Sequence, residues 1–313
     1  MELYQLQAFV TVAALGHLTR AADKLHLSQP ALSGRIKALE EELGMTLFER
    51  TPTGMTLTPA GRHLLAYGTR VLDAAREMKS QALGFRGQVT GHVRLGTSSD
   101  PDFIRLGQFL GETVARHPKL AIELHQEISG AAFEKVRDRE LDASFYFGDL
   151  SHPEVESMPL RRFRYVVAGP AAWKEQLTHS SWSDLVAMPW IVTPEISTHH
   201  RVLQRLFAEL SGAPDKIVQA DQESVIVNLV ESGVGLSLVR EDLARAKERR
   251  GEIATWRGAA PDTVLAFIYR RDRAGDPVIG ALLEVLQGTW ELPATVPSRR
   301  SSNDAGPTGA GSV

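Results

Sequence analysis

Hydroxyl, amide and cationic side chains crowd into one short run, Ser28-Gln29-Pro30-Ala31-Leu32-Ser33-Gly34-Arg35-Ile36-Lys37. Their chemistry is hydrogen bonding to base edges and phosphates, provided that a helix holds them on one exposed face. The run reads as such a helix. Ser28 suits an N-cap, Pro30 falls in the opening turn where a missing N–H costs little, and Gly44 supplies a stop after Leu43. Leu32, Ile36, Leu39 and Leu43 share the face that would pack inward. Pro30, Gly34, Lys37 and Glu41 then lie opposite, with Gln29 and Ser33 on one flank and Arg35 on the other.

The elements that must position this face lie on both sides of it. Residues 18–27 form a shorter helix with Ala21, Ala22 and Leu25 on its apolar side, broken by His26-Leu27. The stretch Leu18–Lys37 is therefore a helix-turn-helix, whose second helix enters the DNA major groove. An ordinary helical hairpin with a solvated face has the same pattern, so the flanks decide. Upstream, Leu3, Leu6, Phe9, Val10 and Ala13 mark a covering helix. Downstream, Leu47-Phe48-Glu49-Arg50 and Thr53-Gly54-Met55-Thr56-Leu57 read as a hairpin turning at the glycine. Three helices and a hairpin make a winged helix-turn-helix. Its candidate DNA contacts are Thr19, Arg20, Ser28, Gln29, Pro30, Ser33, Gly34, Arg35, Lys37 and Arg50.

Leu6-Gln7-Ala8-Phe9, Ala21-Ala22, Ser28 to Ser33, Ile36, Leu39-Glu40, Leu43-Gly44, Leu47 to Arg50 and Leu57-Thr58-Pro59-Ala60-Gly61 stand in a familiar order and spacing. Over residues 1 to about 60 the chain resembles the LysR-type transcriptional regulators. Two positions depart from that family's usual pattern. Gly34 replaces a long polar or basic side chain, and the wing tip Thr51-Pro52-Thr53 lacks a cation, which leaves Arg50 as the wing's candidate contact. Residues 1–65 hold six cations and six anions, so binding has to rest on local clustering and on repetition of weak contacts in an oligomer.

From Thr58 to about Gly87 the chain reads as one long helix. Leu64, Val71, Met78 and Phe85 recur every seven residues, with Gly61, Gly68, Ala75 and Ala82 as a complementary small row. This is the pattern of a helix-pairing seam, and Leu64, Val71, Met78 and Phe85 are the expected dimerisation residues. Dimer and tetramer remain alternatives.

From His92 strands and helices alternate, which predicts an α/β unit with a largely parallel sheet. The resemblance implies two α/β lobes like those of a periplasmic binding protein. The fold class expected is thus α+β multidomain, with a winged helix-turn-helix (1–58), a linker and dimerisation helix (59–87) and an effector domain. Lobe I comprises 92–163 and 266–292, and lobe II 164–265. The Ser-, Gly- and Pro-rich tail, 294–313, is expected to be disordered. Ligands of open α/β sheets sit beyond the carboxyl ends of strands. That places Thr97, Ser98, Ser99, Ser129, Phe147, Thr193, Ser197 and Asp221 as effector candidates, though helix capping alone explains many of them. Hydroxyls and helix N-termini suit a carboxylate, whereas Asp100, Glu195, Asp221 and Glu223 suit an amine or amino acid.

The rest of the composition excludes more than it proposes. The 313 residues contain no cysteine, so thiol redox sensing, disulfides and thiolate metal sites are ruled out. A net charge of −3 argues against a broadly basic coat for nucleic acid. There is no Gly-rich phosphate loop, nucleophile elbow or metal-ligand spacing, and His199-His200 lacks a third partner. No catalytic residue, metal or cofactor is expected, and the chain is read as not an enzyme. No apolar run is long enough for the membrane and no secretory signal is seen, so a cytoplasmic location is expected. The expected partners are double-stranded DNA, a small effector, the chain itself as homodimer or homotetramer, and RNA polymerase. The alternative function is a small-solute-binding protein that retains an N-terminal helical domain.

Overall fold

The computed structural model of the chain describes residues 1–52, 54–84, 89–97, 100–210 and 216–292. Ser98, Ser99, Phe85, the wing-tip residue Thr53 and the tail 294–313 lie outside the described residues.

The N-terminal unit is built from α1 (Leu3–Leu15), α2 (Leu18–Lys24), α3 (Gln29–Leu43), the hairpin β1 (Phe48–Thr51) and β2 (Gly54–Leu57), and the start of α4 (Pro59–Gly84). Phe9, Val12, Ala21, Leu32, Leu39 and Leu47 are fully enclosed and form one core. Gly16 and Gly44 close α1 and α3 in the left-handed conformation (φ 66° and 68°), and His26 (φ 54°) makes the turn between α2 and α3. The hairpin turn is not at Gly54 as expected. Gly54 opens β2 and pairs with Thr51. Its φ of 141° and its position explain the glycine better: a Cβ would stand 2.3 Å from the Gly16 carbonyl oxygen. The Met55 N–H donates to that same oxygen at 2.7 Å. The wing is thus fastened to the corner between α1 and α2.

The C-terminal unit continues with β3 (Gly91–Thr97), α5 (Leu106–Arg116), β4 (Leu120–Gln126), α6 (Ser129–Arg137), β5 (Ala143–Phe147) and β6 (Val155–Pro170). After β6 come α7 (Lys174–His179), α8 (Trp182–Val186), β7 (Trp190–Val192), α9 (Thr198–Leu210), β8 (Lys216–Gln219), α10 (Glu223–Glu231) and β9 (Ser237–Arg240). The chain closes with α11 (Glu241–Arg249), β10 (Ile253–Thr255), β11 (Asp262–Arg270) and α12 (Pro277–Thr289). After β3 the first helix starts only at Leu106, where Arg105 takes a left-handed conformation (φ 51°) with its guanidinium 4.5 Å over the Trp290 ring.

Lobe I is a mixed sheet rather than a largely parallel one. β4, β3 and β5 run parallel, β11 joins β5 antiparallel, and β6 pairs antiparallel with β11. Phe109, Phe145, Phe267, Leu282 and Leu286 fill its core. Lobe II is organised around the far end of β6, flanked by β9 and β10, with β7 and β8 parallel beyond them. Trp190 packs there edge to face on Trp182 and Phe207, and Trp182 lies tilted against Phe207.

β6 does not begin a second unit near Arg164, as the apolar run from Tyr165 suggests. It is a single strand of 16 residues: residues 155–164 pair with β11 in lobe I, and residues 165–170 pair in lobe II. The return crossover falls near Pro261 and not at Ala266, because all of β11 pairs within lobe I.

Candidate functional sites: an exposed recognition helix and an interlobe cleft

Ser28 Oγ accepts the Ala31 N–H at 3.3 Å and starts α3 one residue before Pro30. With Leu32, Ile36 and Leu39 buried, the helix must turn Gln29, Pro30, Gly34 and Lys37 outward. Ser33 and Arg35 are half-buried on the flanks. The Arg35 guanidinium lies 4.9 Å over the Tyr4 ring of α1, which orders a long cation beside the exposed face. Thr19 and Arg20 are exposed on α2, and Arg20 Nη2 donates to the Leu15 carbonyl at 2.9 Å. Arg50 is exposed on β1.

Several anions of the unit are engaged locally. Glu40 Oε1 accepts the Leu47 and Phe48 N–H groups at 2.6 and 3.2 Å, Glu42 pairs with the N-terminal amine, and Glu41 pairs with Lys37 at 3.4 Å. The last pair is exposed on both sides and contributes little to stability.

The long helix α4 divides the expected seam. Thr58 Oγ1 accepts the Gly61 N–H at 2.9 Å and donates to the Thr46 carbonyl at 2.8 Å, which fixes the helix start on its own domain. A Cβ at Gly61 would stand 2.2 Å from the Leu47 carbonyl oxygen, and Gly68 rests on Phe9. These first two members of the small row face the chain's own core and not a second copy. Leu64 and Leu65 pack half-buried against that core, and Leu72 is buried in it. Tyr67, Val71 and Met78 are left 51%, 41% and 74% exposed, and with Ala74 they form one outward stripe. A seven-residue repeat identifies a helix face, but its neighbour can come from the same chain as well as from another.

Farther along, α4 leans on lobe I. Gln81 Nε2 donates to the Gly275 carbonyl at 2.9 Å, and Asp73 Oδ2 is 3.6 Å from Arg94 Nη2. Arg94 in turn donates to Asp142 through its backbone N–H (2.7 Å) and Nε (3.2 Å). Arg273 joins Asp142 to Asp276. Burial pushes the Asp73 carboxyl up. Burial also acts to raise Asp142, but the hydrogen bonds and charge of Arg94, with Arg273, outweigh it and hold that group low. A cavity of about 460 Å³ lies at this junction.

A second cavity, of about 470 Å³, lies between the lobes. Ser129, Phe147, Thr193, Ser197 and Asp221 all line it, brought together from β5, the starts of α6 and α9 and the segment before α10. Thr97 is buried at the end of β3 and is not on the cavity wall. Ser129 Oγ accepts the Phe147 N–H at 3.0 Å. Ser197 Oγ accepts the His199 N–H at 3.2 Å.

His199 Nε2 is 2.8 Å from the Leu238 carbonyl oxygen, an obligate acceptor, so that nitrogen carries the proton. Burial pushes His199 below its ordinary pKa, the Leu238 bond opposes the shift and neighbouring His200 adds to it. The neutral ring then accepts at Nδ1 from the Thr193 hydroxyl, 3.3 Å away. His200 Nδ1 is 3.0 Å from the Thr193 carbonyl oxygen. Glu195 is exposed and off the cavity wall.

Arg240 is the residue that the strand pattern did not single out. It ends β9, is 3% exposed, and stacks 3.7 Å over the Phe103 ring. Its Nη2 reaches Asp100 Oδ2 at 2.6 Å, and its Nε lies 3.3 Å from Glu223 Oε1 and 3.6 Å from Asp242 Oδ1. Asp100 belongs to lobe I and the other three to lobe II, so the cluster spans the cleft. Arg201 Nη2 makes a second bridge, donating to the Tyr146 hydroxyl at 2.6 Å and to Thr198 Oγ1 at 2.7 Å. Tyr146 is therefore a core and bridging residue and not a cavity wall. The only sequence signal for Arg240 was a cation closing an apolar strand just before Glu241-Asp242.

Among the described residues no helix is long and apolar enough to cross a membrane. Comparison with known proteins finds relatives of both units. Residues 3–62 match the family described as bacterial regulatory helix-turn-helix protein, lysR family, and residues 86–291 match the LysR substrate binding domain. The regulator YofA of Bacillus velezensis is 28% identical, over 94% of this chain and 99% of its own. BenM of Acinetobacter baylyi is 31% identical, over 76% of this chain and 80% of its own. The solved structure of full-length CbnR complexed with target DNA has the same fold, with a TM-score of 0.63 at 23% identity over 92% of this chain and 100% of that one. The match over residues 3–62 sets aside the solute-binding alternative. A DNA-reading helix joined through a long helix to a two-lobed, cleft-bearing domain is the plan of one family, and the chain belongs to the LysR-type transcriptional regulators: DNA-binding proteins with an effector-binding domain, and not enzymes.

Proposed function

We propose that α3 enters the major groove with Gln29, Ser33, Gly34, Arg35 and Lys37 toward the base edges. Ser28 and Pro30 stand at its entry, and Thr19, Arg20 and Arg50 bind the flanking phosphates. A small effector occupies the interlobe cavity against Ser129, Phe147, Thr193, Ser197 and Asp221. Thr97, buried off that wall at the end of β3, is not among these contacts, and Ser98 and Ser99 are proposed effector contacts on the grounds of the sequence alone. The observation that carries this reading is the convergence of residues from both lobes on one cavity, with Arg240 joining the lobes beside it. A ligand that prefers one spacing of the lobes shifts the population toward it, and α4, which touches lobe I through Asp73 and Gln81, passes the change to the DNA-binding unit.

The active species is a homodimer or a dimer of dimers, paired through Val71 and Met78 with Leu64 and Phe85 at the margins. It works in the cytoplasm on promoter DNA, where it contacts RNA polymerase. Footprinting of the full-length protein on its own upstream region, at two salt concentrations, tests the assignment. The expected result is a salt-sensitive footprint that the double substitution of Ser33 and Arg35 by Ala abolishes and that effector alters. Absence of any specific footprint would overturn it.

A further inference from the structure

The interlobe cavity is lined by two kinds of polar group. The hydroxyls of Ser129 and Ser197 stand at the starts of α6 and α9. Those starts meet closely: a Cβ at Gly130 would lie 2.0 Å from the Ile196 carbonyl oxygen. The second kind is acidic, Asp100, Asp221 and Glu223. Among the described residues the cavity wall carries carboxylates but no lysine or arginine, and burial pushes His199 on that wall toward its neutral form. Glu127, the remaining wall carboxylate, is paired with Lys135. One guanidinium, that of Arg240, faces three carboxylates, those of Asp100, Glu223 and Asp242. Glu223 Oε1 is buried and accepts no hydrogen bond, although Arg240 Nε is 3.3 Å away. The acidic group has one guanidinium for three carboxylates among the described residues, and the hydroxyls offer donors.

We propose that the effector is a zwitterion of the α-amino acid type, its ammonium seated against Glu223 and Asp221 and its carboxylate against the hydroxyls of Ser129 and Ser197. The proposal rests on the reading of this cleft as the effector site and adds the ligand's chemical class. First-turn N–H groups and hydroxyls are suited to a carboxylate. A ligand with carboxylates alone puts further negative charge beside Asp100, Asp221 and Glu223, whereas an ammonium supplies the charge that Arg240 alone does not. The ionisation of Glu223 fits this arrangement. Burial pushes its carboxyl up to about 7, Asp100 and Asp242 push the same way, and Arg240 opposes them. Tyr165, packed on the same side, stays neutral because burial raises its pKa further. A carboxyl raised this far holds a proton in part of the molecules at neutral pH, and a bound ammonium displaces it.

The test is titration calorimetry of the full-length protein with the common L-amino acids. Each binder is followed by its deaminated acid and its decarboxylated amine, and succinate and benzoate serve as anion probes. Runs at pH 7 in two buffers of different ionisation enthalpy count protons. The expected result is an L-amino acid that binds at least tenfold more tightly than either truncated partner and releases protons. Glu223→Gln should weaken it at least tenfold and abolish the release, and Asp221→Asn, on an exposed residue, should weaken it without threat to folding. Ser129→Ala should weaken the amino acid and the acid but not the amine. Binding of succinate or benzoate that Glu223→Gln leaves unchanged would overturn the proposal, as would failure of every amino acid and amine to bind. A footprint on DNA from the same preparation separates the two readings: if it persists while only anions bind, the ligand class is wrong and the regulator stands.

Discussion

Arg240 Nη2 lies 2.6 Å from Asp100 Oδ2, and the two residues belong to different lobes. The guanidinium side chain is 4% exposed, and Asp100 keeps 29% of its own surface. Substituting Arg240 by Met removes the guanidinium that Asp100, Glu223 and Asp242 share. Removing one partner of a buried pair costs about 3 kcal/mol. The effector domain of Arg240→Met should unfold at lower urea concentration by about that amount, and its response to effector should be lost or constitutive. An unchanged urea midpoint would mean that the lobes are held by other contacts.

Glu223 makes stability depend on pH. Its folded pKa of about 7 exceeds the usual carboxylate value of 4.5, so the folded state keeps a proton that the unfolded chain gives up. The stabilisation is complete below about pH 4.5 and is lost as pH rises through 7. Between pH 4.5 and 7.5 the wild-type protein should lose about 2–3 kcal/mol relative to Glu223→Gln. Urea unfolding of both proteins at the two pH values checks this. Parallel curves would place Glu223 in a wetter setting.

Gly34 has nothing within 4 Å of where a Cβ would stand, so the fold makes no demand for glycine there. Gly34→Ala should stabilise the DNA-binding unit by about 0.5–1 kcal/mol, since glycine inside a helix is unfavourable by that amount. If the bare backbone lets α3 approach the DNA closely, the same change should weaken operator binding several-fold. A higher melting temperature with an unchanged Kd would show that the glycine is merely tolerated.

The two faces of α4 predict opposite phenotypes. Val71→Glu with Met78→Glu charges the exposed stripe and should yield a folded monomer that no longer binds its operator. Leu72→Ala opens a cavity in the chain's own core and should cost about 2–4 kcal/mol without preventing assembly. Sedimentation and thermal unfolding separate the cases. A doubly charged variant that still sediments as a dimer would move the interface elsewhere.

Local signals in the sequence were good guides to local structure. Ser28, Pro30 and Gly44 mark the ends of α3, and Leu32, Ile36 and Leu39 mark its buried face, because caps and periodicity act within a few residues. The lining of the interlobe cavity was readable at Ser129, Thr193, Ser197 and Asp221, since strand ends and helix starts occupy definite places in an α/β sheet. What escaped depends on partners distant in the chain. Arg240 meets Asp100 across 140 residues, and Gly54 is set by Gly16. The passage of β6 through both lobes leaves no mark, because the polar stretch before Tyr165 pairs with β11 as regularly as the apolar stretch after it pairs with β9. Gly61 and Gly68 were assigned to a partner helix because their repeat cannot tell one neighbour from another.

The continuity of β6 bears on how the regulator computes its answer. The lobes are joined by two adjacent antiparallel segments, with Arg164 paired to Asp262 and the Tyr165 N–H bonded to the Pro261 carbonyl at 3.0 Å. Such a ribbon resists sliding and stretching but bends and twists readily. A hinge of this kind lets the lobes change their angle while their register along the strands stays fixed, so any change of the cleft that reached α4 would arrive as a rotation and not as a slide.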